Sequence, residues 1–137
     1  MLCRYISVRL PPQFQQNFPQ LRSVLCLHHH NQQLLRAASK IYPDLVVLHI
    51  DAHTDTYQGD GNQEYLRFNV ATTFTRAAEE SLIDVGSSLH IGARGPTNDS
   101  TVFNHTREVG YGLINGSELF KTGFNNTAKR VVETLKS

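Results

Sequence analysis

The chain has 137 residues, a formal net charge of +1, 39% hydrophobic residues and 18% charged ones. These values fit one soluble domain with a proper core and are too small to expect two. They carry no disorder signature, the thirteen Lys and Arg form no block that would draw nucleic acid or an anionic membrane, and no apolar run nears the roughly 18–20 residues of a membrane span.

Residues 1–30 form a lead-in with little regular pattern. "RYISVRL" (4–10) reads as a strand and "PPQFQQNFPQ" as loop. Arg4 and Arg9 interrupt the apolar residues, so no signal peptide is read, and Cys3 and Cys26 are expected to be free thiols. From residue 31 onward helix and strand alternate. "NQQLLRAASKIY" puts Leu34, Leu35, Ala38 and Ile41 on one helical face, with Pro43 as the stop. "LVVLHI" (45–50) is the kind of apolar run that parallel strands show when both faces are covered.

"TTFTRAAEESLI" (72–83) returns to helical spacing through Phe74, Ala77, Ala78, Leu82 and Ile83, with Asn69 or Thr72 as N-cap. "SSLHIGARG" is a second buried strand running into a Gly-rich turn, and "NDSTVFNHTREVG" a helix closed by Gly110. "YGLI" follows as a third strand and "NGSELF" as a capped turn. "NNTAKRVVETLKS" is a final helix with Val131, Val132 and Leu135 inward. The layout predicts an α/β fold, three-layer α/β/α with a parallel sheet, that looks unfinished at its C-terminal edge because a crossover helix normally feeds another strand.

The chemistry concentrates where the first strand ends. If the backbone stays extended past Ile50, the side chains of Asp51, His53 and Asp55 share one face. Open α/β sheets bind their ligands at that carboxyl edge. Two converging carboxylates repel unless a cation sits between them, and an O,O,N donor set suits Mn²⁺ better than Ca²⁺ or structural Zn²⁺. A polar loop, with the Asp residues capping backbone and the His in solvent, is the competing reading. His49 and His90 lie inside apolar strands and read as hydrogen-bonded core histidines. Arg94 in "GARG" reads as an ion pair fixing its loop, ahead of a contact with a substrate carboxylate. His105 and Arg107 read as part of a solvated helix.

"LRAASKIYPDLVVLHIDAHTDTY", "FNVATTFTRAAEESLID" and "SLHIGARGPTNDSTVFNHTREVGYGLI" together resemble the ureohydrolase family of arginases and agmatinases, whose strand-end signature is D-A-H-x-D. "DTY" and "TTFTRAAEE" are closer to the agmatinase side. The resemblance implies that residues 31–137 are the N-terminal to central portion of a ureohydrolase domain, an incomplete arginase/deacetylase-like fold. It also implies an agmatinase-like, Mn²⁺-dependent amidinohydrolase that hydrolyses a linear guanidino compound to urea and an amine. In the family two Mn²⁺ ions share a bridging water and lower its pKa. By resemblance Asp51 bridges both metals, His53 binds one, and Asp55 binds the other and helps hold the nucleophile as the catalytic residue.

The chain departs from the family in three places. Where members supply a further His from G-G-D-H, ungapped matching lands on His28 in "LCLHHHNQQ", either a metal ligand or a member of a loop-borne His cluster. Where members carry His-Gly, this chain has Val70-Ala71, leaving Tyr65 and Asn69 as residues that approach the site instead. The second metal-binding strand, of the form D-x-D, does not follow the last helix. One metal at most, little hydrolysis, and a truncated non-catalytic remnant binding metal or a partner are therefore the alternative expectation for these residues alone. The remaining expectations are a small guanidino substrate, no nucleic-acid or membrane partner, assembly as a homo-oligomer, and a cytoplasmic location with the mitochondrion left open.

Overall fold

Short extended segments that hydrogen-bond to one another organise the chain. The computed structural model describes residues 7–8, 24–25, 31–59, 67–95 and 101–134. In the lead-in, β1 (Ser7–Val8) pairs antiparallel with β2 (Val24–Leu25). The strand expected at 4–10 thus has its described part at β1. Helix α1 (Asn31–Ser39) then precedes β3 (Leu48–Ile50). A 3-10 turn at Val70–Thr72 leads into α2 (Thr73–Glu79), followed by β4 (Leu89–Ile91). Helix α3 (Val102–Val109), β5 (Gly112–Ile114), α4 (Gly116–Thr122) and α5 (Phe124–Thr134) complete the described chain. No described helix is long and apolar enough to cross a membrane.

Strands β3, β4 and β5 form one parallel sheet in that order, with His49 opposite His90 and His90 opposite Leu113. Side chains alternate across the sheet, and the two faces bury different chemistry. Leu89, Ile91 and Ile114 pack with Val131 of α5, and Leu48 and Leu119 border them. On the other face Phe74, Ala77, Ile83 and Tyr111 form the core, with Leu35 from α1 and Val109 from α3 against it. Helices therefore cover both sides, and the expected three-layer α/β/α arrangement with a parallel sheet is the one observed.

Several boundaries differ from the sequence reading for local reasons. Only Leu48–Ile50 of the apolar run 45–50 is strand. The residues before it are held by other means: Val47 N–H donates to Ser88 Oγ at 2.9 Å, and Leu45 O accepts from Asp84 N at 2.8 Å. The helix expected over 72–83 stops at Glu79 because Ser81 turns left-handed at φ 53. Leu82 N–H then reaches back to Ala77 O at 2.9 Å, a Schellman-type closure that still delivers Leu82 and Ile83 to the core. Ile41 lies 69% exposed instead of on the apolar stripe. Its N–H bonds to Ala38 O, three residues back, and that tighter turn rotates it away.

Other signals correspond directly. Gly110 ends α3 at φ 112, where a β-carbon would be strained. Asn115 caps α4 by accepting from Glu118 N at 2.9 Å. Asn69 caps the 3-10 turn in a capping box with Thr72, and Thr72 is the N-cap position of α2. On the surface, Arg36 of α1 grips Glu80 through two hydrogen bonds of 2.6 Å, which holds that carboxyl below its usual range. Being exposed, this pair adds little to stability.

The two strand histidines meet as expected of core residues. His49 Nδ1 lies 3.0 Å from His90 Nδ1. The His90 ring stands edge-on to Phe74 at 5.0 Å and to Tyr111 at 4.8 Å between centroids, and Tyr111 Oη donates to Phe74 O at 2.8 Å. Burial first, and the His49 ring second, push the His90 pKa from 6.5 down to about 3. As pH falls the unfolded chain takes this proton near 6.5 and the native state only near 3. The stability contribution is therefore complete above about 6.5 and lost progressively down to about 3. Guanidinium unfolding across that range should show a slope approaching about 1.4 kcal/mol per pH unit from this one group. His90→Asn should be less pH-dependent than wild type by that amount.

Candidate metal centre

Strand β3 delivers its last ladder bond at Asp51, whose N–H donates to Ile91 O at 3.2 Å. The chain then bends. Asp51 Oδ1 accepts the His53 N–H at 2.9 Å, an Asx-type turn, and Ala52 O accepts both Arg94 N at 2.8 Å and Gly95 N at 2.9 Å. The expected extension past Ile50 is thus replaced by a turn, because the Asp51 side chain and the β4 loop take the hydrogen bonds that a continuing strand would use. Asp55 follows at φ 51, a left-handed conformation that Asp tolerates better than most residues. The exposure pattern still alternates: Thr54 and Thr56 are buried at 1% and 0%, Asp51 and Asp55 are half-buried, and His53 is exposed.

Asp51 and His53 are brought together, with His53 Nδ1 3.5 Å from Asp51 Oδ1. The imidazole lies against Gly95: a β-carbon there would sit 2.5 Å from His53 Nε2 and 2.8 Å from its Cδ2. Sequence reasoning took the "GARG" glycines as turn formers and missed this second use. Asp55 is fixed through its backbone, its carbonyl accepting from Phe74 N at 3.0 Å. Among the described residues no group of three or more His, Cys, Asp or Glu side chains is close enough to hold a metal ion. The donor chemistry of two carboxylates and an imidazole suits Mn²⁺, but the described geometry assembles a pair rather than a centre.

The other expected site residues are distributed as follows. His28 and Tyr65 lie outside the described residues. Asn69 is committed to capping, its Oδ1 accepting from Ala71 N at 2.8 Å, and Val70 beside it is exposed. Arg94 fixes its own loop as expected, but by donating to Gly92 O at 3.0 Å, with no ion pair among the described residues. His105 departs from the solvated reading. It is largely buried, with Nδ1 3.3 Å from Gln58 Nε2, and it lines a pocket of about 200 Å³ with Thr56, Thr101 and Glu108.

A parallel α/β sheet with an acidic, His-bearing turn at its carboxyl edge places these side chains where open α/β sheets bind their ligands. The sequence profile of the Arginase family matches residues 28–137, and the chain belongs to that family. It is 30% identical over 102 residues to the agmatinase of Neisseria meningitidis serogroup C (strain 053442), covering 74% of this chain and 29% of that protein. The solved structure of proclavaminate amidino hydrolase from Streptomyces clavuligerus superimposes with a TM-score of 0.65 at 30% identity, over 77% of this chain and 35% of that one. The structure of Trypanosoma cruzi formiminoglutamase with Mn²⁺ shares the fold at a TM-score of 0.65 and 18% identity, over 82% of this chain and 37% of that one. The chain thus spans about three-tenths of the length of the curated agmatinase it matches.

The His53–Gly95 contact makes a specific prediction. Gly95→Ala should drive the imidazole away from Asp51, because the new β-carbon takes its place. The ring sits on an exposed side chain, so the stability loss should stay below about 1 kcal/mol. NMR should show displaced His53 ring resonances with unchanged amide shifts along β4 and β5.

Proposed function

We propose that this chain supplies the Asp51–Asp55 segment to the centre of an agmatinase-like, manganese-dependent amidinohydrolase that converts a linear guanidino compound to urea and an amine. One observation carries the reading: an Asp51–His53 pair, formed by a turn at the carboxyl end of a parallel strand, in a chain of the arginase family. A relative named agmatinase and another named proclavaminate amidinohydrolase support a guanidino substrate. A fold neighbour named as carrying Mn²⁺ supports manganese, in agreement with the oxygen and imidazole donors. In this reading Asp51 and His53 are metal ligands. Asp55 is a ligand whose carboxylate also holds the water that attacks the guanidinium carbon.

A second reading has its own observation. Only a donor pair meets among the described residues, which favours a polypeptide that binds metal or a partner without turning substrate over. Urea release from agmatine, 4-guanidinobutyrate and arginine, measured on the purified protein with excess Mn²⁺, separates the two. The first reading predicts Mn²⁺-dependent urea release that Asp51→Ala lowers by about a hundredfold or more. Background urea from all three compounds, with Mn²⁺ bound at Asp51 and His53, would establish the second.

A further inference from the structure

Asp55 has a backbone conformation, φ 51, that residues with a β-carbon leave unless their surroundings enforce it. Enforcement comes from both flanking residues. Thr54 and Thr56 are fully buried with their Oγ1 atoms 2.8 Å apart, and Thr56 Oγ1 lies 2.6 Å from Thr106 Oγ1 on α3. Thr106 Oγ1 also lies 2.7 Å from Val102 O.

Each hydroxyl has a single hydrogen, and that settles the direction of the chain. Val102 O can only accept, so Thr106 gives its hydrogen there. Thr106 must then accept from Thr56, and Thr56 from Thr54. The relay runs one way, from Thr54 through Thr56 and Thr106 into the carbonyl of Val102. Meanwhile Phe74 N–H donates to Asp55 O at 3.0 Å and Tyr57 N–H to Ala71 O at 2.9 Å. The segment is thus held by side chains toward α3 and by backbone toward the start of α2.

The geometry points to Thr106, fifty-one residues beyond Asp55, as a positioning residue for that carboxylate, acting through Thr56 and Thr54. It touches neither substrate nor metal. Its functional consequence rests on the role proposed for Asp55, whereas the locking itself stands apart from any activity. A threonine that bonds only its own i−4 carbonyl, as many helical threonines do, would fill space and nothing more.

Amide hydrogen exchange on Thr106→Val and Thr106→Ser decides between these roles. Thr106→Val keeps the shape and removes the hydroxyl. It should speed exchange at Tyr57 and Phe74 roughly tenfold and shift the Asp55 Cα and Cβ resonances away from left-handed values. The Gly92 amide, bonded to Ile114 O at 2.8 Å in the sheet, should be unaffected, and Thr106→Ser should retain wild-type behaviour. Equal acceleration at all three amides would make Thr106 a packing residue, and no acceleration would mean that Asp55 is held without the relay; either overturns the proposal. Thr54→Val, which removes only the first donor, carries the same expectation at Tyr57 and Phe74 if Thr106→Val does not fold. Where urea release is measurable, Thr106→Val should lower kcat with KM unchanged. The exchange measurement holds without turnover, so failure of the relay and failure of the proposed activity are read separately.

Discussion

The carbonyl of Ala52 accepts two backbone hydrogens, from Arg94 and from Gly95, and this clamp ties the end of β3 to the end of β4. The arrangement at the carboxyl edge depends on it. Gly92 N–H bonds to Ile114 O and Gly116 N–H to Ala93 O, so the end of β5 is stitched to the same loop. Three strand ends then move as one unit. The Asp51 turn, the His53 ring over Gly95 and the start of α4 are positioned by main-chain bonds, which tolerate less variation than side-chain contacts. The Asp51–His53 pair, with so little surrounding core, keeps its geometry for this reason.

Beneath that edge the sheet has one aliphatic face and one that is aromatic and imidazole-bearing. The 3.0 Å gap between His49 and His90 accommodates a single proton, so one ring donates and the other accepts. Burial keeps His90 neutral, and the rings of Phe74 and Tyr111 close around it. This packed imidazole pair, with His49 two residues before Asp51, gives β3 a polar interaction that fixes its register against β4. Aliphatic side chains at these positions would fill the volume without selecting that pairing.

Much of this was legible in the chain because it is local. Strand-like runs at 45–50, 87–91 and 111–114, the caps at Asn69, Asn115 and Gly110, and the D-A-H-T-D signature follow from periodicity, turn chemistry and resemblance. The core role of His49 and His90 followed from their apolar neighbours. What stayed hidden is what long-range hydrogen bonds decide. The bend at Asp51 combines a local Asx-type turn, which the polar-loop reading of this segment anticipated, with bonds from Arg94 and Gly95, about forty residues away, which no pattern in 45–57 announces. The use of Gly95 as a seat for His53 and the contact of Thr106 with Thr56 likewise arise only when distant segments meet, whereas the exposure of Ile41 comes from the local tightening of the turn after α1.

Manganese-induced paramagnetic broadening of the backbone NMR spectrum tests the central claim, that the turn after β3 is the metal-directed part of this fold, most directly. Substoichiometric Mn²⁺ should first broaden the amides of Asp51–Asp55 and of Gly92–Gly95 across the Ala52 clamp, and Asp51→Ala should abolish that pattern. Broadening centred elsewhere, or spread over the surface carboxylates with no preference for this edge and no response to Asp51→Ala, would contradict it.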